Sequence, residues 1–308
     1  MKKIIVVAGP TAVGKTKYAI ETAKAFNGEV ISCDSMQLYK FMDIGSAKPT
    51  PDELSQVKHH LVDIIEPSSP FSVAQYQELA LDAINDVFQR GKTPVIAGGT
   101  GLYLNSILYD MDFSNANEDK VLRKKLEKEC SEFGVNFLHD KLKILDSSAA
   151  ERIHPNNVKK VVRAIEAAIS GEKIKDFKNC DSKRKDFERI LIGLSRNRDE
   201  LYDRINKRVD ILVDEGLFDE VKKLLSMGLT ENDISMKGIG YKEIIGYYEN
   251  RYSREEAIEL IKKNTRHLAK RQITWFKRYD DIHWLDISSY DNDEKEIEGM
   301  LEWLRNKF

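Results

Sequence analysis

The first third of the chain alternates between short apolar runs and stretches in which apolar residues have helical spacing. The apolar runs predict buried β-strands at residues 3–8, 29–33, 60–65 and 93–97. The stretches between them predict helices over 15–26 and 72–88. This alternation predicts an α/β fold with a parallel sheet, and ligands bind such sheets at the carboxyl ends of the strands.

The pattern changes after about residue 113. Residues 118–189 have charged, helical patterns with almost no strand signal, and 189–194 again has the pattern of a strand. The simplest architecture is an α/β core that is interrupted by a helical insertion. We expect the first part of the core over 1–112, the insertion over 113–189, and the rest of the core with the C-terminal helices over 190–308.

Composition excludes several classes of protein. Of the 308 residues, 41% are apolar and 32% are charged, as in a globular protein. No stretch approaches the 18 or so uninterrupted apolar residues of a membrane span, and the apolar run at the start is too short for a secretory signal. The three cysteines lie far apart without a C-x-x-C pair. We therefore expect a cytoplasmic protein without a disulfide framework or a zinc site.

Charge is distributed unevenly along the chain, although the net charge is only −2. Residues 120–189 contain 18 Lys and Arg against 12 Asp and Glu, and residues 254–278 contain 8 against 3. Residues 280–308 contain 3 against 9. The two basic blocks are either solvated helix faces or a surface for a polyanion, because phosphate binding needs local rather than global positive charge.

Residues 9–16 match the phosphate-binding pattern G-x-x-x-x-G-K-[ST] in full, between a predicted strand and a predicted helix. The glycines let several backbone N–H groups point at one anion, to which the helix N-terminus adds positive charge. Lys15 would supply a point charge, and the Thr16 hydroxyl could ligate a Mg²⁺ ion shared with the phosphates. The candidate diphosphate-binding residues are Gly9, Pro10, Thr11, Ala12, Val13, Gly14, Lys15 and Thr16. The motif predicts a P-loop NTPase-like core and a diphosphate or triphosphate ligand, without deciding between the two.

An acidic residue follows the second predicted strand rather than the fourth. In ATPases a carboxylate that ends another strand helps to hold Mg²⁺, but here 93–97 is followed by Gly98-Gly99-Thr100-Gly101. Asp34 follows 29–33, where it could accept a proton from an attacking nucleophile, as in many small-molecule kinases. The structural alternative is a helix N-cap, since Asp34 could end the strand and begin the next element.

Six motifs occur in order from residue 9 to about residue 278. They are 9–16, Asp34-Ser35-Met36-Gln37-Leu38-Tyr39, Gly98-Gly99-Thr100-Gly101-Leu102-Tyr103, Tyr202-x-Arg204-Ile205-x-x-Arg208, Ile239-Gly240-Tyr241-Lys242-Glu243 and Ala269-Lys270-Arg271-Gln272-x-Thr274-Trp275-Phe276. Together they resemble the tRNA dimethylallyltransferase family (isopentenyl-tRNA or IPP transferases). The resemblance implies transfer of the dimethylallyl group from dimethylallyl diphosphate to N6 of adenosine 37, in tRNAs that decode codons beginning with U. The P-loop would then bind the prenyl diphosphate rather than ATP.

The resemblance also implies catalytic roles. Asp34 is the candidate base that takes the N6 proton. Lys15, the loop amides, Mg²⁺ on Thr16 and an arginine, for which Arg208 is preferred, would neutralise the leaving diphosphate. A surface ion pair is the alternative for that arginine. Thr100 could position the amine or the diphosphate. Its alternative role is structural, as a turn residue between two glycines.

Adenosine 37 must leave its stack to react, so the enzyme should hold a flipped base. The family segment that contacts this base maps onto Asp34, Ser35, Met36 and Gln37. Gln37 can both donate to and accept from an adenine edge. Thr100 is expected to contact the tRNA as well.

The insertion is expected to grip the anticodon stem-loop. The candidate tRNA-binding residues there are Lys159, Lys160, Val161, Val162 and Arg163, where the family has a Gln-Arg-x-x-Arg pattern. Phosphate contact survives the change to lysine, but a bidentate or base-specific contact is put in doubt. Arg123 is a second tRNA-binding candidate, and positions 262, 266 and 270 predict a basic stripe on the long C-terminal helix.

Two other functions stay open from the residues alone. A P-loop kinase with Asp34 as base would turn over ATP when its acceptor is present, without RNA. A non-catalytic RNA-binding protein switched by a nucleotide would form no product. The expected partners are tRNA and dimethylallyl diphosphate, with Mg²⁺ as cofactor, and the chain is expected to act as a monomer away from membranes.

Overall fold

The computed structural model describes residues 2–111, 113, 119–171, 182–288 and 293–308. Contacts divide the chain into two compact units, one formed by Met1–Tyr109 with Arg184–Phe308 and the other by Asp110–Lys183. The expected insertion at 113–189 extended too far at its C-terminal end, because a strand of the sheet already begins at Glu188.

The elements follow one another along the chain as described here. Before the insertion come β1 (Lys3–Ala8), α1 (Lys15–Ala25), β2 (Gly28–Cys33), α2 (Pro51–Gln56), β3 (His59–His60), α3 (Val73–Gln89), β4 (Thr93–Gly98) and α4 (Gly101–Leu108). The second unit contains α5 (Lys120–Phe133), α6 (Val135–Leu145), α7 (Ser147–Arg152) and α8 (Val158–Ile169). After it come β5 (Glu188–Ser195), α9 (Arg198–Asp214), α10 (Leu217–Ser226), a 3₁₀ turn (Ser235–Lys237), α11 (Tyr241–Tyr248), α12 (Arg254–Phe276), β6 (Ile282–Asp286) and α13 (Asp293–Arg305).

The six strands form one parallel sheet in the order β3-β2-β4-β1-β5-β6. In β1, residues 4, 6 and 8 belong to one hydrophobic core, whereas residues 5 and 7 belong to another. The sheet is therefore covered on both faces, as the unbroken apolar runs of its strands predicted. Its carboxyl edge carries the loops that follow β1, β2 and β4, which are the loops with the candidate site residues.

The secondary-structure prediction has two errors in the sheet: the strand predicted at 60–65 is wrong beyond its first residue, and β6 (Ile282–Asp286) was not predicted. Only His59–His60 pairs with β2, and a single bridge joins Ile65 to Tyr39. Leu61 and Asp63 have φ values of 61 and 56, which no strand accommodates. Two left-handed residues therefore end β3 after two residues, despite the apolar pattern.

The second unit has a hydrophobic core of its own. It is formed by buried residues of α5 to α8, among them Leu126, Leu138, Leu142 and Ile165. Within the part of the chain that the structure describes, no helix is long and apolar enough to cross a membrane.

Candidate active site

The phosphate-binding loop connects the end of β1 to the start of α1. Its backbone has positive φ at Ala12 (62°) and Gly14 (110°), and Gly14 directly precedes the helix. Gly9 leaves little room for a side chain, because a Cβ there would lie 2.9 Å from the carbonyl oxygen of Leu194. The predicted strand–loop–helix context of the motif is confirmed, and it places the N-terminus of α1 behind the loop.

Lys15 and Arg208 bring two cations to the cavity beside this loop. The Lys15 ammonium donates to the Pro10 carbonyl oxygen at 2.8 Å. Burial lowers the pKa of Lys15 to about 8, and the nearby Asp34 carboxylate opposes that shift. Desolvation by the surrounding protein also lowers the pKa of Arg208, although its side chain keeps surface exposed to the cavity. An anion with several negative charges would relieve the repulsion between the two cations.

Asp34 lies at the carboxyl end of β2 and faces the same cavity. Its Oδ1 accepts a hydrogen bond of 2.9 Å from the Met36 N–H, so the alternative of a turn-capping role is partly realised. Its second carboxylate oxygen has no hydrogen-bond partner among the described residues, which leaves it available to a ligand. The Thr100 hydroxyl accepts from the Ser35 N–H at 3.1 Å and so fastens the turn that carries Asp34.

Gln272 on α12 connects the two glycine-rich loops of the site. Its Oε1 accepts from the Thr11 N–H at 2.8 Å, and its Nε2 donates to the Gly99 carbonyl oxygen at 3.0 Å. Trp275, one turn later, lies so close to Gly101 that any Cβ there would overlap its ring. The sequence shows the motif that contains Gln272 but indicates no role for this residue. A polar side chain within the half-buried stretch of the helix is the signal that could have found it.

A cavity of about 470 Å³ joins these groups. Its polar and charged lining includes Thr11, Lys15, Asp34, Thr100, Arg208, Arg271 and Gln272. Its apolar wall is lined by Ile205, Val209, Leu212, Leu217, Ile239, Ile261, Leu268 and Trp275. A neighbouring cavity of about 420 Å³ shares Thr11, Lys15, Asp34 and Arg208 with the first and adds Thr16 and Gln37. The site therefore offers a charged end for an anion beside an apolar wall for a hydrocarbon.

Two other predicted residues are engaged within the protein. The Gln37 side chain accepts from the Ser32 hydroxyl and donates to the Ala47 carbonyl oxygen, so part of its hydrogen-bonding capacity is already used. Arg204 donates to the Ala12 carbonyl oxygen at 3.3 Å, which braces the phosphate-binding loop from α9. Arg208 lines both cavities, which agrees with the preference for it over Arg204.

The tRNA-binding candidates on α8 divide into two groups. Lys159, Lys160 and Arg163 are exposed. Val161 and Val162 are buried in the core of the second unit, with exposed fractions of 0% and 3%. Their inclusion among the tRNA-binding residues was therefore wrong as far as side-chain contact is concerned, because the pattern K-K-V-V-R follows an amphipathic helix.

Arg123 and Lys262 have acidic partners. The Arg123 guanidinium donates to both carboxylate oxygens of Glu166, which is itself mostly buried. Lys262 pairs with Asp210 on α9 at 2.8 Å and keeps only 15% of its side chain exposed. Arg266 is half-buried as well and donates to the Asn206 side chain of α9, so packing against α9 engages two of the three cations of the predicted stripe and leaves Lys270 exposed.

A model of the IPP transferase family matches residues 37–279. A tRNA dimethylallyltransferase of Alkaliphilus oremlandii is 50% identical over 308 residues, which cover 100% of this chain and 98% of the relative. The solved structure of a tRNA isopentenylpyrophosphate transferase from Bacillus halodurans is 43% identical with a TM-score of 0.76, over 100% of this chain and 97% of that one. A eukaryotic dimethylallyltransferase acting on tRNA superposes with a TM-score of 0.82 at 29% identity, over 99% of this chain and 80% of that one. With these matches over its whole length, the chain belongs to the IPP transferase family of tRNA dimethylallyltransferases.

Proposed function

We propose that this chain transfers the dimethylallyl group of dimethylallyl diphosphate to N6 of adenosine 37 in tRNAs that decode codons beginning with U. The observation that carries the proposal is the single cavity in which Lys15 and Arg208, the Asp34 carboxylate and an apolar wall lie together. A prenyl diphosphate has one doubly or triply charged end and one hydrocarbon end. Both ends are matched there, whereas a nucleoside triphosphate offers no comparable hydrocarbon for the wall.

In the proposed reaction the N6 lone pair attacks C1 of the allyl group, and the bond between C1 and the diphosphate oxygen breaks. The proton leaves N6 for the Asp34 carboxylate, and inorganic diphosphate departs with the electron pair of the broken bond. Adenine N6 is a weak nucleophile because its lone pair is delocalised into the ring, so proton removal and stabilisation of the leaving group must both assist. Lys15, Arg208 and the amides of the phosphate-binding loop stabilise the diphosphate.

A Mg²⁺ ion carried by the diphosphate fits the donor set of the site. The Thr16 hydroxyl lines the cavity that also holds Lys15 and Arg208, and a hydroxyl is one of the hard oxygen donors that Mg²⁺ prefers beside phosphate oxygens. Among the described residues no group of three or more His, Cys, Asp and Glu side chains forms a metal site, so the substrate would supply most of the ligands. When bound, the ion neutralises charge on the leaving diphosphate.

The tRNA would be held by cations outside the cavity. Lys159, Lys160 and Arg163 are exposed on α8 and suit phosphate contacts, since a lysine ammonium binds phosphate as a point charge. Ser35, Met36, Gln37 and Thr100 surround Asp34, where the flipped base must enter for its N6 to reach the carboxylate. We propose that the enzyme acts as a monomer in the cytoplasm, because one chain carries the groups that this chemistry uses.

The decisive experiment is to incubate the protein with unmodified tRNA, Mg²⁺ and dimethylallyl diphosphate labelled in the prenyl group. Label should enter tRNA transcripts that decode codons beginning with U, and nuclease digestion should recover it as N6-(dimethylallyl)adenosine. A matched transcript with guanosine in place of adenosine 37 should stay unlabelled. ATP consumption with a small acceptor and no transfer to tRNA would favour the kinase, and tight tRNA binding without any product would favour the nucleotide-switched binding protein.

A further inference from the structure

Four hydrogen-bond donors converge on the carboxylate of Glu220 in α10. Three are consecutive backbone N–H groups of one loop: those of Asp43 and Ile44 reach Oε2, each at 2.7 Å, and that of Gly45 reaches Oε1 at 3.0 Å. The fourth donor is the Tyr241 hydroxyl, which lies 2.8 Å from Oε1. Hydrogen bonds to an ionised acceptor are among the stronger ones in proteins, so this carboxylate fixes the loop more firmly than a neutral side chain could.

Tyr241 holds the same loop through its ring. The residue is fully buried, and burial, together with the negative charge of Glu220, raises the pKa of Tyr241 well above its ordinary value. The hydroxyl therefore stays protonated and donates. The ring lies directly against Gly45, where a Cβ would be 2.5–2.7 Å from its atoms. Glu220 and Tyr241 thus bind the 43–45 loop, α10 and α11 into one assembly.

Each part of this assembly contributes to the wall of the larger cavity. Gly45 of the loop and the two residues after it, Ser46 and Ala47, line the cavity. Leu217 lines it from the first turn of α10, and Ile239 and Gly240 line it from the residues before α11. Glu220 itself is not among the lining residues that the structure describes, so any effect on a ligand passes through the groups that it holds. Among the described residues, neither the phosphate-binding loop nor Lys15 makes a hydrogen bond or ion pair with Glu220, although Ser46 and Ala47 also line the neighbouring cavity.

We propose that Glu220 is a positioning residue that fixes the part of the wall formed by Leu217 and Ile239, against which the prenyl chain of the donor packs. The inference rests on the proposed function, since it assumes a donor with a diphosphate head and a hydrocarbon tail. The head is confined to the charged end at Lys15 and Arg208. The tail must then lie along the apolar surface, because burying hydrocarbon there removes it from water. Loosening the wall should weaken binding of the tail more than binding of the head, because the 43–45 loop also lines the neighbouring cavity but, among the described residues, makes no hydrogen bond to the phosphate-binding loop.

The test compares dimethylallyl diphosphate with inorganic diphosphate as probes, each titrated calorimetrically with Mg²⁺ into the full chain. Glu220→Gln keeps the shape of the side chain but turns an amide group toward two of the four donors. It should raise the Kd of dimethylallyl diphosphate by about tenfold and change the Kd of inorganic diphosphate by less than about twofold. In the transfer reaction the KM for the donor should rise by a similar factor, whereas kcat at saturation should stay within about threefold.

A second variant guards against loss of folding in the first. Tyr241→Phe removes one donor but keeps the carboxylate, the ring and the three backbone contacts. It should raise the ratio of the Kd of dimethylallyl diphosphate to the Kd of inorganic diphosphate by about threefold. The matched control is Glu298→Gln on α13, an exposed glutamate, which should leave both Kd values unchanged. Equal weakening of both probes, or an unchanged ratio in Tyr241→Phe, would overturn the inference.

The outcome for the unmodified chain separates this inference from the proposed function. If the unmodified chain transfers the prenyl group and the ratio is insensitive to both variants, only the role of Glu220 is wrong. If the unmodified chain binds dimethylallyl diphosphate no more tightly than inorganic diphosphate and transfers nothing to tRNA, the proposed function and the inference are both wrong.

Discussion

Gln272 on α12 accepts a 2.8 Å hydrogen bond from the Thr11 N–H, although 261 residues separate the two along the chain. The bonded N–H belongs to the phosphate-binding loop, whose amides are the groups that hold anions in such loops. At the other end of the same amide, Nε2 donates to the Gly99 carbonyl oxygen. One side chain therefore fixes the spacing between the loops that follow β1 and β4.

We expect Gln272→Glu to weaken binding of the donor more than Gln272→Ala does. The glutamate can still accept from Thr11, but it cannot donate to Gly99, and it places a negative charge beside the diphosphate. The Kd for inorganic diphosphate should rise by about tenfold or more in the glutamate variant, since about 1.4 kcal/mol corresponds to each factor of ten. Calorimetric titration measures it, and an alanine variant that binds more weakly than the glutamate variant would contradict the electrostatic argument.

Asp34→Asn should abolish most of the transfer without unfolding the site. Asparagine can still accept from the Met36 N–H through its Oδ1, so the turn is kept, but it cannot take the N6 proton. The single-turnover rate should fall by about 10²–10⁴-fold, the range expected for loss of a general base. The Kd for tRNA, measured by filter binding, should change by less than about twofold. A variant that loses tRNA binding and transfer in proportion would make Asp34 a recognition residue instead.

Donor affinity should fall as the pH rises through about 8. Burial lowers the pKa of Lys15 to about 8, so the ammonium of the free protein is charged below that pH and loses its proton above it. The charged form binds diphosphate, and the bound anion in turn raises the pKa of Lys15. Measured between pH 6.5 and 9.5, the Kd for inorganic diphosphate should rise above an inflection near that value.

Lys15→Arg supplies the control for that profile. Arginine stays charged throughout this pH range, so the inflection should be absent from its profile, while ionisation of the diphosphate itself affects both proteins alike. An identical inflection in the two profiles would assign the pH dependence to the ligand rather than to Lys15.

We expect Arg123 to contribute to the folding stability of the second unit, through its ion pair with Glu166. Its guanidinium pairs with Glu166, which is buried to an exposed fraction of 8% and also accepts from the Asp119 N–H. Arg123→Ala leaves that carboxylate without its cation and should cost about 2–4 kcal/mol of unfolding free energy. Adding Glu166→Gln should recover about half of the loss, because a neutral amide is cheaper to bury than a charge. Denaturant titration of the two variants checks both values. An Arg123→Ala variant as stable as the unmodified chain would contradict the structural role.

The sequence predicted β1, β2, β4 and β5, because each contains a run of buried, mostly apolar residues. The sequence did not predict β6, an edge strand in which Leu285 alone is buried. It failed at β3, where left-handed backbone at Leu61 and Asp63 overrides an apolar pattern. The phosphate-binding loop was predictable since all its parts lie within eight residues. Gln272 and Glu220 were not, because each acts on backbone groups more than 170 residues away, and no local pattern encodes such a contact. The prediction for Val161 and Val162 is wrong because the family motif spans more than one face of α8, and these two side chains lie on the face that packs in the core.

The exposed cations of α8 should determine how strongly tRNA binding depends on salt. Replacing Lys159, Lys160 and Arg163 by alanine removes three charges from one exposed helix face, while Val161 and Val162 keep the core of the unit intact. Each lost phosphate contact should reduce the slope of log K against log salt concentration by about 0.7–0.9.

The matched control replaces Lys124, Lys125 and Lys128, which are exposed on α5 of the same unit. Filter binding between 50 and 300 mM salt should show a shallower slope for the α8 variant than for the α5 variant, in which the same net charge is lost. Equal slopes would mean that the charge of the unit as a whole, and not the α8 face, attracts the RNA.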